Sequence, residues 1–193
     1  MRGRPSKYNN QEVEAKAQQL FWSKGYTATS MDDLLKAMGI GYGSFYNAYK
    51  GGKKELFRKA IQQRREAFDA FKKELSQSES PLDLIKDFFR SIALADENSH
   101  LQGCIIVNTV VEMTFIDDDL EKEAVQILRE VEQMFTDTIA LEQKQGKLKN
   151  QADPEILGRY LITFWNGLNV TRRMYPDKDL LKKQIDMQLD ILS

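Results

Sequence analysis

An all-α fold is predicted by three features of the sequence. Only four prolines interrupt 193 residues, Leu, Ile, Phe and Met recur at helical spacing nearly throughout, and capping signals mark one helix start after another. The length suffices for one large or two small domains with real cores.

The elements follow in order. Asn9 and Glu12 have capping-box spacing, so a first helix begins there and runs to about Lys24, where Gly25 offers a stop. Val13, Ala17, Leu20 and Phe21 share one face of it. Ser30 and Asp33 form a second capping box, opening a short helix whose Met31, Leu34, Leu35 and Met38 pack against the first. Gly39 permits a left-handed turn at low steric cost, and Ile40 plugs the core behind it. The next helix, about Gly41 to Ala48, turns Phe45 inward and presents Tyr42, Ser44, Tyr46 and Asn47. A long helix then runs from Gly52 to roughly Leu75, and Ser80-Pro81 starts another carrying Leu84, Ile85, Phe88 and Phe89. Further helices follow Gly103, run from Asp117 to about Lys144, and start at Asp153-Pro154. A final amphipathic segment begins after Tyr175-Pro176-Asp177 and ends near Leu192.

Charge is divided along this chain. Residues 1–65 hold 13 Lys/Arg against 5 Asp/Glu, whereas residues 66–193 hold 15 against 24, although the net charge is only −1. A polyanion is therefore attracted to one end. The capped helix, glycine-marked turn and short exposed helix between Thr29 and Phe57 have the order of a helix-turn-helix. Tyr42, Ser44 and Asn47 are candidates for base-edge contacts, Gly43 allows close backbone approach, and the Tyr46 hydroxyl is able to reach phosphate. Thr29 and Ser30 at a helix N-terminus, with Lys50, Lys53 and Lys54 around the start of the long helix, are candidate phosphate anchors. The arm Arg2-Gly3-Arg4-Pro5 with Lys7 suits the minor groove or the backbone.

Residues 10–57, through LFWSKGYTATSMDDLLKAMGIGYGSFYNAYKGGKKELF, resemble the DNA-binding domain of TetR/AcrR-type transcriptional regulators. The resemblance implies that the helix beginning at Gly41 is the recognition helix, that Tyr46 contacts phosphate and that Tyr49 closes a three-helix core. Two positions depart from the family pattern. Gly41 stands where Ser or Thr is usual, and Gly51-Gly52 replaces a more polar connection. The domains expected are a helix-turn-helix unit with its basic arm over residues 1–52 and a helical effector-binding and dimerisation domain over 53–193.

In the body, polar groups sit among apolar ones. Cys104, Asn108 and Glu112 have one-face spacing, and Asn166 and Asn169 punctuate the helix containing Tyr160, Phe164 and Trp165. With Phe88 and Phe89 they are candidates for an effector pocket, an internal hydrogen-bond network being the alternative. The segment QGCIIVNTVVEM, Gln102 to Met113, is similar to one in a subgroup of these regulators with electrophile- and oxidant-responsive members. No Lys or Arg flanks Cys104, and a reactive thiol needs exposure and a lowered pKa. A palindromic operator implies a homodimer, for which Leu128, Val131, Phe135, Ile139, Leu161, Leu168 and Val170 are apolar candidates.

Catalysis lacks its parts. His100 is the sole histidine, no Cys/His metal cluster occurs, and Asp117-Asp118-Asp119 at a helix start are explained by capping and the helix field. No cofactor or metal is expected. One cysteine, no apolar run of spanning length and no apolar segment after the basic N-terminus fit a cytoplasmic location. The predicted function is a DNA-binding repressor, not an enzyme, released from a double-stranded operator by an unidentified small-molecule effector. A thiol-sensing repressor acting through Cys104 and a helical protein-interaction adaptor are the alternatives.

Overall fold

A computed structural model describes residues 10–175 and 177–193, so Asn9 of the first predicted capping box lies outside the described residues. The fold is all-α. The N-terminal unit contains α1 (Asn10–Lys24), α2 (Met31–Met38) and α3 (Tyr42–Ala48), and α4 (Gly52–Gln77) leads into the body. There follow α5 (Pro81–Ala93), α6 (Glu97–Gln102), α7 (Ile105–Met113), α8 (Asp118–Lys144), α9 (Pro154–Thr171) and α10 (Lys178–Leu189).

Local chemistry sets most of these boundaries. The Ser30 hydroxyl accepts from Asp33 N at 3.1 Å while the Asp33 carboxylate accepts from Ser30 N, a reciprocal box that opens α2. Gly39 ends it at φ +69°. Pro81 and Pro154 occupy first-turn positions where their missing N–H costs nothing, and Asp117 caps α8 by accepting from Leu120 N. The helix α6 is one that apolar spacing does not signal. Asp96 caps it through Ser99 N at 2.8 Å, but ENSHLQ buries no residue.

One apolar core runs from Val13 to Leu192 through both halves of the chain. Phe21, Leu34, Met38 and Phe45 fill the N-terminal part, and Phe57 on α4 meets Phe21 edge-on at 4.9 Å. In the body, Phe89 stacks on Phe164 at 5.2 Å and approaches Phe135 at 5.9 Å, joining α5, α8 and α9. Val131, Phe135, Ile139, Leu161 and Leu168 are buried within this one subunit, so they do not supply the free apolar surface a dimer needs. The exposed stripe of α9 is instead Ile156, Thr163, Gly167 and Val170.

The imidazole of His100, on α6, has its pKa lowered by burial first and by the charges of Arg172 and Lys178 next. Below the ordinary value of 6.5 the unfolded chain binds a proton that the folded chain resists, so stability is present above 6.5 and falls as pH drops through the lowered value. A thermal unfolding series from about pH 7 to about pH 5 should show a declining Tm that flattens in His100→Gln.

Candidate nucleic-acid interface

Phe45 anchors the predicted reading helix. It is fully buried against Tyr49, ring centroids 5.2 Å apart, and the rest of α3 is thereby turned outward. Tyr42, Gly43, Ser44, Tyr46 and Asn47 are all exposed, as are Gly41 before them and Lys50 after them. Tyr42 and Tyr46 stack one turn apart at 6.3 Å, and the Tyr42 hydroxyl donates to Asp32 Oδ1 at 3.0 Å, tying α3 to α2. Gly41 caps α3 without a side-chain hydrogen bond. Relative to a hydroxyl residue its own effect on helix stability is only a few tenths of a kcal/mol. Tyr49, buried and bonded to Glu14, has its phenol pushed up to about 12 by desolvation first and that carboxylate second, so it stays neutral as core.

Several predicted phosphate anchors are engaged elsewhere. Thr29 is fully buried and donates to the Gly25 carbonyl at 2.6 Å, so its side chain is withdrawn from the surface; Ser30 remains exposed. Lys53 lies 4.3 Å above the Tyr26 ring, a cation–π contact, and burial lowers its pKa. Lys54 pairs with Asp117 at 2.7 Å and Asp119 at 3.2 Å across the junction with the body. Each of these three positions thus has a partner within the subunit, the Gly25 carbonyl for Thr29, the Tyr26 ring for Lys53 and the carboxylates at the start of α8 for Lys54. Arg2, Arg4 and Lys7 lie outside the described residues.

What sequence spacing missed is a clamp between the two halves. Glu112, near the C-terminal end of α7, accepts from Tyr26 N at 2.9 Å and Thr27 N at 2.6 Å. Two successive backbone N–H groups thus hold one carboxylate. Gly25 makes this possible. Its φ is +82°, and a Cβ there would stand 2.9 Å from Glu112 Oε2. Trp22 Nε1 donates to the Gly103 carbonyl at 3.1 Å and Gln18 Nε2 to the Ala60 carbonyl at 2.9 Å, so α1 grips α4 and the start of α7 as well.

An outward-facing short helix on a capped, glycine-turned pair is the geometry of a helix-turn-helix. The family model "Bacterial regulatory proteins, tetR family" matches residues 15–60, and "Tetracyclin repressor-like, C-terminal domain" matches residues 81–187. The chain belongs to the TetR family. It is therefore a DNA-binding transcriptional regulator. The TetR-family chain is 28% identical over 193 residues to an uncharacterized HTH-type transcriptional regulator, YezE of Bacillus subtilis, covering 98% of this chain and 99% of the relative. It is 25% identical to the HTH-type transcriptional repressor DhaR of Mycobacterium sp., covering 94% and 91%. Among solved structures, a cysteine-substituted CifR complexed with 26 bp operator DNA superposes with a TM-score of 0.81 at 23% identity, covering 99% of this chain and 100% of that one. The reduced form of E. coli NemR gives a TM-score of 0.81 at 18% identity, covering 95% and 96%. At these identities the likeness of the structures is one of fold.

Within this TetR-type body the predicted effector residues divide into separate sets. Phe88 packs on Trp165 at 4.9 Å and Phe89 on Phe164, forming an aromatic wall between α5 and α9. The Tyr160 hydroxyl donates to Gln188, tying α9 to α10. Asn108 Nδ2 donates to the Gln102 carbonyl and Asn169 Nδ2 to the Trp165 carbonyl, both at 2.8 Å. The Oδ1 atoms of Asn166 and Asn169 are buried without a partner. Glu112 is the exception, pointing to the DNA-binding unit, because the Gly25 loop offers it two amide donors. Cys104 precedes α7 as its N-cap and is 1% exposed, which removes the access that thiol chemistry requires. A surface groove of about 530 Å³ between α4 and α8, edged by Arg58, Arg65 and Glu123, contains none of these residues. Among the described residues no helix is long and apolar enough to cross a membrane.

Proposed function

We propose that this regulator is a homodimeric repressor in which α3 of each subunit enters the major groove of a palindromic operator and a small-molecule effector in the body releases it. The observation that carries the reading is the exposed face of α3, with Tyr42, Ser44 and Asn47 available to base edges while Phe45 fixes the helix beneath them. Gly41 and Gly43 leave room for the backbone to approach, and Tyr46, Lys50 and Ser30 meet phosphate from the flanks. The exposed α9 stripe of Ile156, Thr163, Gly167 and Val170, beside α8, is the surface for the second subunit. A two-fold dimer then sets two recognition helices about 34 Å apart, matching successive major-groove faces. Residues 1–52 serve as the DNA-binding domain and 53–193 as the effector and dimerisation domain, with the basic arm reinforcing DNA contact.

Release acts through the junction. The Glu112 clamp holds the helix-turn-helix to α7, and the Lys54 ion pairs hold the start of α4, directly after it, to the start of α8. An effector that prefers the other pose shifts the population away from DNA. Selection of bound fragments from the native genome at moderate salt tests the reading. A palindromic site with half-sites about one helical turn apart is expected, whereas uniform recovery of fragments would overturn it.

Contacts with bases and with phosphates separate in the same assay. Asn47→Ala should change the preferred half-site, each lost base contact being worth about 1–3 kcal/mol. Lys50→Ala should weaken binding evenly across sequences and reduce the slope of log K against log salt by about 1.

A further inference from the structure

The body contains a buried cation with no counter-charge. Arg172, directly after α9, is only 7% exposed, its Nη2 donates to the Ser99 carbonyl at 2.6 Å, and its Nε has no partner. Among the described residues no carboxylate lies within ion-pair distance of Arg172, Arg173 or Arg64. The Nε of Arg64, on α4, is likewise buried and unpartnered, and its guanidinium lies 4.7 Å from the Phe68 ring and 5.8 Å from that of Trp22. Trp22 in turn bonds to Gly103, and a Cβ on Gly103 would stand 2.9 Å from the Asn169 carbonyl and 3.4 Å from Arg173 Nη2. Contacts from α1, α4, α9 and the α6–α7 junction therefore meet at one place, where α7 begins without a side-chain cap.

A guanidinium taken out of water without a counter-charge is destabilising unless an anion joins it. Burial lowers the pKa of Arg172, and the charges of Arg173 and Arg64 add to that. The side chain stays charged nonetheless, since arginine does not lose its proton in proteins. Its fork matches a carboxylate. The rings of Phe68 and Trp22 lie beside the Arg64 guanidinium, so apolar surface adjoins the donors.

We infer that this cluster is a binding site for a small organic carboxylate, its head group taken by Arg172 and Arg64 and its apolar body lying against Trp22 and Phe68. As the effector site, the inference rests on the ligand-released reading above. Gly103, whose carbonyl accepts from Trp22 beside the cluster, leads directly into α7, whose C-terminal end carries Glu112, so a displacement of this one helix links site and clamp.

Trp22 borders the cluster through its bond to Gly103 and its contact with Arg64, so tryptophan fluorescence reports on it without DNA. The full-length protein is titrated with benzoate, 3-phenylpropanoate and hexanoate and with the three corresponding amides, with calorimetry in parallel. At least one carboxylate should bind about tenfold or more tightly than its amide. Arg172→Gln should erase that preference while Tm shows the fold retained; Arg64→Gln, expected to weaken it, serves if the first variant does not fold. Equal binding of acid and amide, a preference that survives in the folded variants, or no response to any carboxylate up to about 10 mM would overturn the site. Carboxylate-selective binding without operator release would keep the site and defeat the effector reading.

Discussion

Phe45→Ala is expected to remove operator binding. The ring is fully buried and touches Tyr46 and Tyr49, each at 5.2 Å, so it joins the recognition face to the core beneath it. Truncating a buried Phe costs about 3–5 kcal/mol, which is a large part of the total stability of a domain. If the loss is expressed globally, Tm falls by about 6–20 °C; if locally, α3 frays while the body persists. Either way, operator affinity measured by anisotropy should drop more than about tenfold, with circular dichroism showing which case holds. Binding within about twofold of wild type would mean that α3 is not the docked element.

Gly158→Ala is expected to destabilise the body and, through it, the dimer. At this crossing α9 lies so close to α8 that a Cβ would overlap the Thr136 hydroxyl and stand 3.1 Å from Thr136 Cβ and 3.2 Å from its backbone nitrogen. Part of that overlap can be relieved by turning the threonine, but the backbone contact cannot. Overpacking of this kind costs about 1–3 kcal/mol, and the two helices that part are those bearing the proposed subunit interface. Sedimentation should show a weaker dimer and thermal unfolding a lower Tm. Adding Thr136→Ala should recover part of both, which a substitution acting elsewhere would not do.

Features written within a few residues were legible in the sequence. The Ser30/Asp33 box, the Gly39 turn, inward Phe45 and the proline-opened helices follow from local backbone chemistry, and each lies where its signal stands. The short helix α6 was not legible, because a single Asp96 cap supports it without apolar spacing. Lysine clustering marked Lys53 and Lys54 as anchors, yet Tyr26 and Asp117 hold them, and Asp117 is 63 residues beyond Lys54. Thr29 looked like a surface cap but is buried under the turn it helps to close. Glu112 shared a helical face with Asn108, and only the fold brings the amides of Tyr26 and Thr27 to it. Gly25 carried a usable signal: a left-handed stop after α1 leaves consecutive N–H groups pointing outward, in need of an acceptor.

The claim that the body governs the recognition helix through α7 rests on the Glu112 clamp. Its direct test is operator affinity with and without a releasing compound, in wild type and in Glu112→Gln, which keeps the side-chain shape and removes the charge that both amides favour. In wild type the compound should weaken operator binding by about 5-fold or more, the scale of an ordinary coupling free energy. In folded Glu112→Gln that factor should fall toward one. Release by the same factor in both proteins would contradict the account.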